Sequence, residues 1–343
     1  MLTVSQVFST IAFSIKSLNG LNPISGMISF VIGTVLNFIA IIPFYLLCKK
    51  YGSSSLLNFS YKIFGKFGYV IAVLFLLILL STAISTVVVF EDFLSSTVLK
   101  DSSFFVIILL LIIVSTYGAF LGIEALGRFA NIVFVLLCLS VLGIFLAIVK
   151  DIELVNFGGF SMNSTSKIFE TAIQGIFANT GLLSFVLLTP LVNKKHTKGF
   201  TVWNVVSLVI VEIIVFSVTG VLGEYAAGKE YPYYSTATVA EFSILKRLDI
   251  VYMCVWVLVA FIKTTYYLLL SKNVLDSFLH NSAKKYSLFF CTAIMLVVSL
   301  ICSIRPILYE YIQTFISSGI GTILLIALPI FFLFAGGKRN EKN

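Results

Sequence analysis

Apolar stretches of about 17–25 residues alternate along the whole chain with short clusters of charged and polar residues. A helix needs roughly 20 apolar residues to cross about 30 Å of hydrocarbon, so each stretch has the length of one membrane span. The first is the weakest, because it is short, rich in serine and contains Lys16. Hydropathy predicts ten transmembrane helices, at about residues 3–20, 27–48, 67–90, 104–122, 127–149, 168–190, 201–223, 248–271, 286–304 and 312–335.

The composition of the chain excludes a water-soluble protein. Of the 343 residues, 59% are hydrophobic and 11% are charged, which is more apolar surface than a soluble domain of this size can bury. We therefore predict a single all-α transmembrane domain that is surrounded by the lipid bilayer. The first stretch has neither a basic segment before it nor a small-residue cleavage site, so we interpret it as a retained helix and not as a signal peptide.

The net charge of +8 is distributed unevenly between the loops. A basic balance is one sign of nucleic-acid binding. Here, however, fourteen of the 23 Lys and Arg residues fall in alternate loops and the C-terminal tail, together with only three acids, whereas the other loops hold seven basic residues and eleven acids. By the positive-inside rule this asymmetry places both termini of a multi-pass cell-membrane protein in the cytoplasm. We predict no nucleic-acid partner.

Ten spans divide naturally after the fifth, because the connection that follows it is polar and external. Five is an odd number of crossings, so the second half starts on the opposite side of the membrane and any repeat must be inverted. The long loops 49–66 and 224–247 occupy corresponding positions, and both are predicted to contain short interfacial helices. The predicted division is a first five-helix repeat at 1–149, an external connection at 150–167, a second repeat at 168–335 and a cytoplasmic tail at 336–343.

Transporters with inverted repeats have a ligand site where the first helix of each half breaks at the midplane. These helices are spans one and six. The polar interruption at 177–181 in span six favours either such a break or a packing patch of small residues, and the matching segment of span one is either a break or a loop. The candidate ligand-binding residues are Ser17, Asn19 and Gly20 in span one, Ser81 and Thr82 in span three, Asn179, Thr180 and Gly181 in span six, and Lys263 and Thr264 in span eight.

Two charged residues lie inside predicted spans, Lys263 in span eight and Glu212 near the centre of span seven. Each costs about 2.5–3.5 kcal/mol if central, so each needs a partner, a cavity or a route to the interface. They lie about 13 and 16 Å from the cytoplasmic ends, which allows a mutual pair. Lys263 is interpreted as a fixed cation where related transporters bind Na⁺, as a proton carrier, or as a structural lysine bonded to carbonyls of a broken helix.

Two other charge pairs have a structural interpretation. Glu124 and Arg128 flank the short connection between spans four and five, and their spacing of four allows an ion pair on one helix face. Arg247 and Asp249 open span eight, where an interfacial pair would set the depth of the helix.

No pattern in the chain is typical of an enzyme. The five cysteines are scattered without metal-ligand spacing. Both histidines, His196 and His280, lie in polar loops, so the HExxH pattern of a membrane metalloprotease does not occur. We predict a non-enzymatic protein with no metal and no cofactor.

Several segments are similar to those of one family. They are Tyr117-Gly118 with Gly122 to Arg128, Leu245 to Ile250 followed by Trp256 and Phe261-Ile262-Lys263, Tyr231 to Ser235, Pro190 at the end of span six, and Gln6. On these segments most of the chain resembles the B subunit of GerA-type spore germinant receptors. That family is the spore germination permease branch of the amino acid–polyamine–organocation superfamily.

The resemblance implies a leucine-transporter-like fold of ten helices, location in the inner spore membrane and recognition of a small germinant, usually an amino acid. It also implies two partners, a larger A subunit and a lipoprotein C subunit. The chain departs from the family in span one, which is shorter by roughly a turn or two, and at Leu182, where relatives often carry an acidic residue.

Three functional hypotheses follow. The first is a germinant-sensing subunit that binds its ligand at the midplane between helices one, three, six and eight and signals to its partners. The second is an amino-acid permease that works by alternating access and needs the same midplane site. The third is a scaffold subunit that has lost its ligand, which the shortened span one favours.

Overall fold

Every regular element in the described part of the computed structural model is a helix. The structure describes residues 1–13, 21–51, 56–157, 163–191, 196–240 and 248–337. In chain order the helices are α1 (Leu2–Phe13), α2 (Pro23–Ala40), α3 (Ile42–Tyr51), α4 (Leu56–Phe64), α5 (Phe67–Thr97), α6 (Phe104–Phe120), α7 (Gly122–Ile148), α8 (Thr165–Phe177), α9 (Thr180–Leu188), α10 (His196–Leu222), α11 (Pro232–Val239), α12 (Asp249–Asp276), α13 (Asn281–Lys284), α14 (Ser287–Ile304), α15 (Pro306–Ser317) and α16 (Ile320–Gly337). Short 3₁₀ segments lie at Val149–Asp151, Leu154–Phe157, Thr189–Leu191 and Gly223–Gly228.

The described residues include seven helical segments that are long and apolar enough to cross a membrane, and an eighth if α8 and Thr180–Leu191 form one bent span. This confirms an all-α, multi-pass membrane protein. Ten spans and the leucine-transporter-like arrangement remain predictions. The apolar helix α6 has 17 residues and is shorter than the others, and the second half of the predicted first span lies at 14–20, outside the described residues.

Several helices extend beyond the predicted spans. Helix α5 has 31 residues and ends at Thr97, whereas hydropathy placed its end at residue 90. At about 1.5 Å per residue α5 is about 46 Å long, which exceeds the roughly 30 Å of the hydrocarbon layer. Hydropathy detects only the part inside hydrocarbon. The backbone hydrogen bonds continue the helix beyond it, through polar residues such as Asp92.

The chain divides into two compact units. Unit 1 comprises Met1–Val35, Glu124–Gly175 and Thr201–Lys263, and unit 2 comprises Leu36–Ile123, Ile176–Phe200 and Thr264–Asn343. In unit 1 the segment after α7 is fixed to α10, because the Asn156 side-chain amide and the Glu153 backbone amide both donate to the Gly220 carbonyl, at 2.8 and 2.9 Å. The predicted inverted repeats, 1–149 and 168–335, stay a prediction.

In unit 2 the central helix is α5. Helices α4, α6, α14 and α15 pack against it, and α9 contacts it as well. Buried residues occur along α5 from Gly68 to Phe93, which is typical of a helix in the core of a membrane protein. Helix α16 packs against α3 and α9. The second half of span six is therefore held between α5 and α16.

Both long loops contain a short helix, as predicted. The loop 49–66 contains α4. The loop 224–247 contains α11, which begins at Pro232, where the missing N–H of proline costs nothing; the predicted segment 242–247 lies outside the described residues. On α4 the Tyr61 hydroxyl lies 3.0 Å from the Ser277 hydroxyl. Burial raises the pKa of Tyr61 above its usual range, so this hydroxyl stays neutral at physiological pH.

Candidate functional site

Span six is broken at the polar interruption. Helix α8 ends at Phe177 and α9 begins at Thr180, and the two segments are bent by 40° relative to each other. Between them Asn179 has φ −81° and ψ 84°, which is not helical. Its side-chain oxygen accepts a hydrogen bond from the Gly181 backbone N–H at 3.0 Å. Asn is favoured in this position because its side chain supplies an acceptor that the first turn of a helix otherwise lacks.

The backbone groups that the break releases have partners within unit 2. The Ile176 carbonyl accepts from the Asn179 N–H at 3.0 Å and from the Thr322 hydroxyl at 3.1 Å. The Ala178 carbonyl accepts from the Thr180 N–H at 3.0 Å. The bent conformation is therefore stabilised by the protein itself. The Gly181 N–H at the start of α9 is likewise already bonded, to the Asn179 side chain.

A pair of hydroxyl groups joins the break to α12. The Thr180 and Tyr267 hydroxyls lie 2.9 Å apart. Thr264, three residues before Tyr267, is fully buried, and its hydroxyl has no hydrogen-bond partner among the residues that the structure describes. A buried hydroxyl without a partner is destabilising. Thr264 therefore offers an open hydrogen-bonding group close in sequence to the Tyr267 contact with the break.

Tyr267 is not among the ligand-binding residues predicted from the sequence. One feature of the sequence could have identified it. Residues three apart lie on the same side of a helix, so Tyr267 shares a helix face with the candidate residue Thr264. The contact itself joins residues that are 87 positions apart, and nothing in the local pattern of either segment predicts it.

The ligand-binding role of the two candidate residues in span three stays a prediction. The Thr82 side chain is buried, and its hydroxyl donates to the Ile78 carbonyl one turn earlier at 2.8 Å. Ser81 is half-buried. Within the described ranges, no hydrogen bond joins either residue to the break. Helix α5 instead supports the break by packing against α9. The predicted residues of span one, Ser17, Asn19 and Gly20, lie outside the described residues.

Lys263 belongs to unit 1 and lies close to the middle of α12. Its side chain is only 6% exposed. At about 1.5 Å per residue it lies about 20 Å from either end of the helix. This distance to the helix end exceeds the expected value of about 13 Å, because α12 continues to Asp276, beyond the predicted span. The ammonium nitrogen lies 4.9 Å from the centroid of the Phe8 ring, a cation–π distance that stabilises a desolvated ammonium group.

The Phe8 ring is the first of a column of aromatic rings in unit 1. It stacks on Trp256 with centroids 4.4 Å apart, and Trp256 is followed by Tyr252 at 5.9 Å. Tyr252 in turn contacts Tyr233 at 5.5 Å and Tyr234 at 5.9 Å, both on α11. Rings at such distances attract each other beyond simple burial. The surroundings of the buried lysine are thus linked through packed rings to a helix in the loop 224–247.

Glu212 does not pair with Lys263. Both of its carboxylate oxygens are buried, and neither has a hydrogen-bond partner in the part of the chain that the structure describes. The residue lies within α10, about 15 Å from the C-terminal end of that helix by helical rise. The similar depths of Glu212 and Lys263 along their helices allowed an ion pair, but depth alone does not bring the two side chains together.

Of the two other predicted charge pairs, the structure describes one completely and only one residue of the second. Arg128 Nη2 lies 3.8 Å from Glu124 Oε2, and the two side chains are 85% and 88% exposed. An ion pair of this length and exposure contributes little to stability. Asp249 is buried, and Arg247 lies outside the described residues. No group of three His, Cys, Asp or Glu side chains in the described ranges is arranged to hold a metal ion.

Comparison with known proteins adds two findings. A family model described as "spore germination protein" matches residues 1–307, which include the whole of the break and all of unit 1. None of the curated proteins compared with the chain matches it. The matched region ends before α16.

Proposed function

Because the chain belongs to the spore germination protein family, we propose that it is the nutrient-sensing subunit of a spore germination receptor. Family membership and the apolar helices make it a germination-related, permease-like membrane protein. Our proposal adds that a small molecule, an amino acid, binds at the break of span six. Its binding biases a two-state rearrangement, which passes the signal to partner subunits.

The observation that carries this proposal is the break itself. A broken helix in a membrane protein is tolerated where its irregular backbone is buried in protein or lines a cavity. At such a break the helix ends attract the charged groups of a ligand. The Thr180–Tyr267 hydroxyl pair and the free hydroxyl of Thr264 supply neutral hydrogen-bonding groups in unit 2. The polar groups of an amino acid match this combination.

The second part of the proposal is that Lys263 supplies a fixed positive charge. A buried ammonium repels Na⁺, so a fixed charge at Lys263 makes ligand binding independent of sodium. The cation–π contact with Phe8 supports a defined position for this charge. The competing interpretation is a lysine whose only role is structural. The two are separated by the substitutions discussed below.

The proposed partners, location and membrane orientation follow from the family resemblance and the charge distribution. The partners are the A and C subunits of the receptor, and the location is the inner spore membrane. The excess of Lys and Arg in alternate loops supports cytoplasmic termini. Cysteine labelling of the tail from each side of the membrane tests this orientation.

Two experiments test the sensing function. Deletion of the gene is expected to abolish germination with at least one nutrient, and unchanged germination with every nutrient tested would contradict the proposal. Thermal unfolding of the purified complex across a panel of amino acids is expected to identify the ligand. A ligand at 100 times its dissociation constant stabilises the folded state by about 2.7 kcal/mol.

A second candidate function is an amino-acid permease, which the same break supports. Uptake of a radiolabelled amino acid by the chain alone in liposomes is the expected result for transport. Isolation from spores in a stable complex with A and C subunits, without such uptake, is the expected result for sensing. A third candidate is a scaffold without a ligand, which is supported by the Asn179 side chain that already caps α9.

A further inference from the structure

The first turn of α16 contacts the break of span six inside unit 2. The Thr322 hydroxyl, which is 3% exposed, donates to the Ile176 carbonyl at 3.1 Å. This carbonyl belongs to the last turn of α8, where the regular acceptor–donor pattern of a helix stops. The Thr180 N–H, its regular donor, bonds to the Ala178 carbonyl instead. The Ile176 carbonyl therefore has two donors at the break, the Asn179 N–H and the Thr322 hydroxyl.

The turn before α16 also fits against the break. Gly319 has φ +75°, a conformation that side chains other than glycine rarely adopt. A Cβ atom at this position would lie 2.6 Å from Cγ of Phe177, the last residue of α8. At Gly321 a Cβ atom would lie 3.3 Å from Ile78 on α5 and 3.6 Å from Leu183 on α9. At position 319 only glycine lets α16 begin so close to Phe177, whereas a Cβ atom at position 321 requires the Ile78 side chain to shift by a few tenths of an ångström.

The other end of α16 contacts a different part of unit 2. The Phe331 and Phe332 rings lie 5.0 and 5.7 Å from the Phe64 ring at the end of α4. The Lys50 ammonium, at the end of α3, lies 3.5 Å from the Leu333 carbonyl. About 16 Å of helix separate these contacts from the first turn of α16. Helix α16, which contains Pro329 between these two sets of contacts, therefore contacts the break at one end and the C-terminal ends of α3 and α4 at the other.

We propose that α16 couples the conformation of the break to the C-terminal ends of α3 and α4. The first turn of α16 holds the bent form of span six through Thr322 and Gly319. A rearrangement that moves Ile176 and Phe177 displaces this turn, and the helix carries the displacement to α4. The coupling stands on contacts within unit 2 alone. Its role in passing on the ligand-bound state rests on the proposed function.

Hydrogen–deuterium exchange tests the coupling on the full chain in lipid nanodiscs, with no ligand added. Thr322→Val keeps the side-chain shape and removes the hydroxyl. Loss of one buried hydrogen bond is expected to speed exchange of amides 179–183 about fivefold. Exchange in α4 is expected to rise as well, and Thr322→Ser is expected to restore both. Thr314→Val is the matched control, because the Thr314 hydroxyl makes only a local, exposed bond to the Glu310 carbonyl.

A glycine pair separates contact with the break from backbone strain. Gly319→Ala and Gly122→Ala both place a side chain at positive φ, but the Cβ at Gly122 meets nothing within 4 Å. We expect Gly319→Ala to speed exchange at 179–183, since Phe177 must move. Gly122→Ala is expected to leave these amides unchanged. Equal effects of the two substitutions would overturn the positioning role of Gly319.

The reverse direction tests transmission through α16. Phe332→Leu loosens the contact with α4, and we expect faster exchange at 179–183 as well as in α4. Changes confined to α4 would overturn the coupling.

In spores that contain Thr322→Val at normal abundance, germination in a mixture of the 20 amino acids is expected to slow, whereas Thr314→Val spores germinate normally. Normal germination of Thr322→Val spores would overturn the signalling role. If deletion of the whole gene also has no effect, the proposed function fails instead, and the exchange results still decide the coupling.

Discussion

Replacing Lys263 by Met removes a buried charge and keeps a side chain of similar length. Loss of the charge relieves about 2.5–3.5 kcal/mol of the cost of a charged residue in the middle of the membrane. It also removes the cation–π contact with Phe8, which stabilises a desolvated ammonium by about 2 kcal/mol. The two contributions oppose each other and leave a net change of about 1 kcal/mol. We therefore expect the variant to reach the membrane at near-normal abundance.

The ligand response is expected to change much more. If the ammonium binds a polar group of the ligand, its loss removes a charge-assisted hydrogen bond of about 1.5–3 kcal/mol, which is roughly a tenfold or larger loss of affinity. The assay is germination of spores as a function of nutrient concentration, with abundance measured by immunoblotting of inner membranes. Lys263→Arg is expected to rescue poorly, because a planar guanidinium does not replace a compact ammonium.

Lys272→Met is the matched control on the same helix. Lys272 forms an ion pair of 3.0 Å with Asp276 and is 34% exposed, so its loss is expected to change stability by less than about 1 kcal/mol. The control is expected to leave the nutrient response unchanged. A normal response of Lys263→Met spores at normal abundance would refute a functional role for Lys263. Loss of the protein from the membrane would instead support the structural interpretation.

Three further substitutions test the geometry of the break and the surface pair. Tyr267→Phe removes the hydrogen bond to Thr180 and is expected to destabilise the protein by about 1 kcal/mol. It is also expected to weaken the stabilisation by ligand. An unchanged melting temperature with normal stabilisation by ligand would contradict this prediction. Asn179→Ala is expected to cost about 1 kcal/mol through loss of the helix cap, and an unchanged melting temperature would contradict a stabilising role of this cap. Glu124→Gln is expected to shift stability by less than about 0.5 kcal/mol, because its pair with Arg128 is long and exposed; a larger loss in thermal unfolding would assign the pair a structural role.

The sequence showed the polar interruption of span six and left two interpretations, a break or a packing patch of small residues; the cause of the observed break is local. Asn179 and Gly181 are close neighbours that disfavour a helical backbone and supply a cap for the following helix. The location of Lys263 in mid-span was predictable for a similar reason, since hydropathy averages over one helix. Its distance from the end of the helix was underestimated, because the helix continues beyond the apolar stretch that hydropathy detects.

The partners of these groups were not predictable. Tyr267, Thr322 and Gly319 act on span six across 87 positions or more, and each lies in a segment whose local pattern is ordinary for a membrane helix. Glu212 is the opposite case, a predicted contact that the structure does not show. Its depth allowed a pair with Lys263, yet its carboxylate oxygens have no hydrogen-bond partner among the described residues. Depth along a helix limits which residues can meet, but the rotation and packing of helices decide which of them do.

The sequence by itself therefore determined that this chain is an α-helical membrane protein, that its sixth span has a polar interruption at 177–181, and that a lysine lies inside its eighth span. These properties depend on hydropathy, helix length and capping, which act over one or two turns. Only the tertiary structure decided that Tyr267 and Thr322 bond to the break and that α16 fits against it at Gly319. Within a membrane almost every helix face is apolar, so the sequence pattern contains little information about which faces pack together. That choice depends on close packing of small residues and on hydrogen bonds between distant segments.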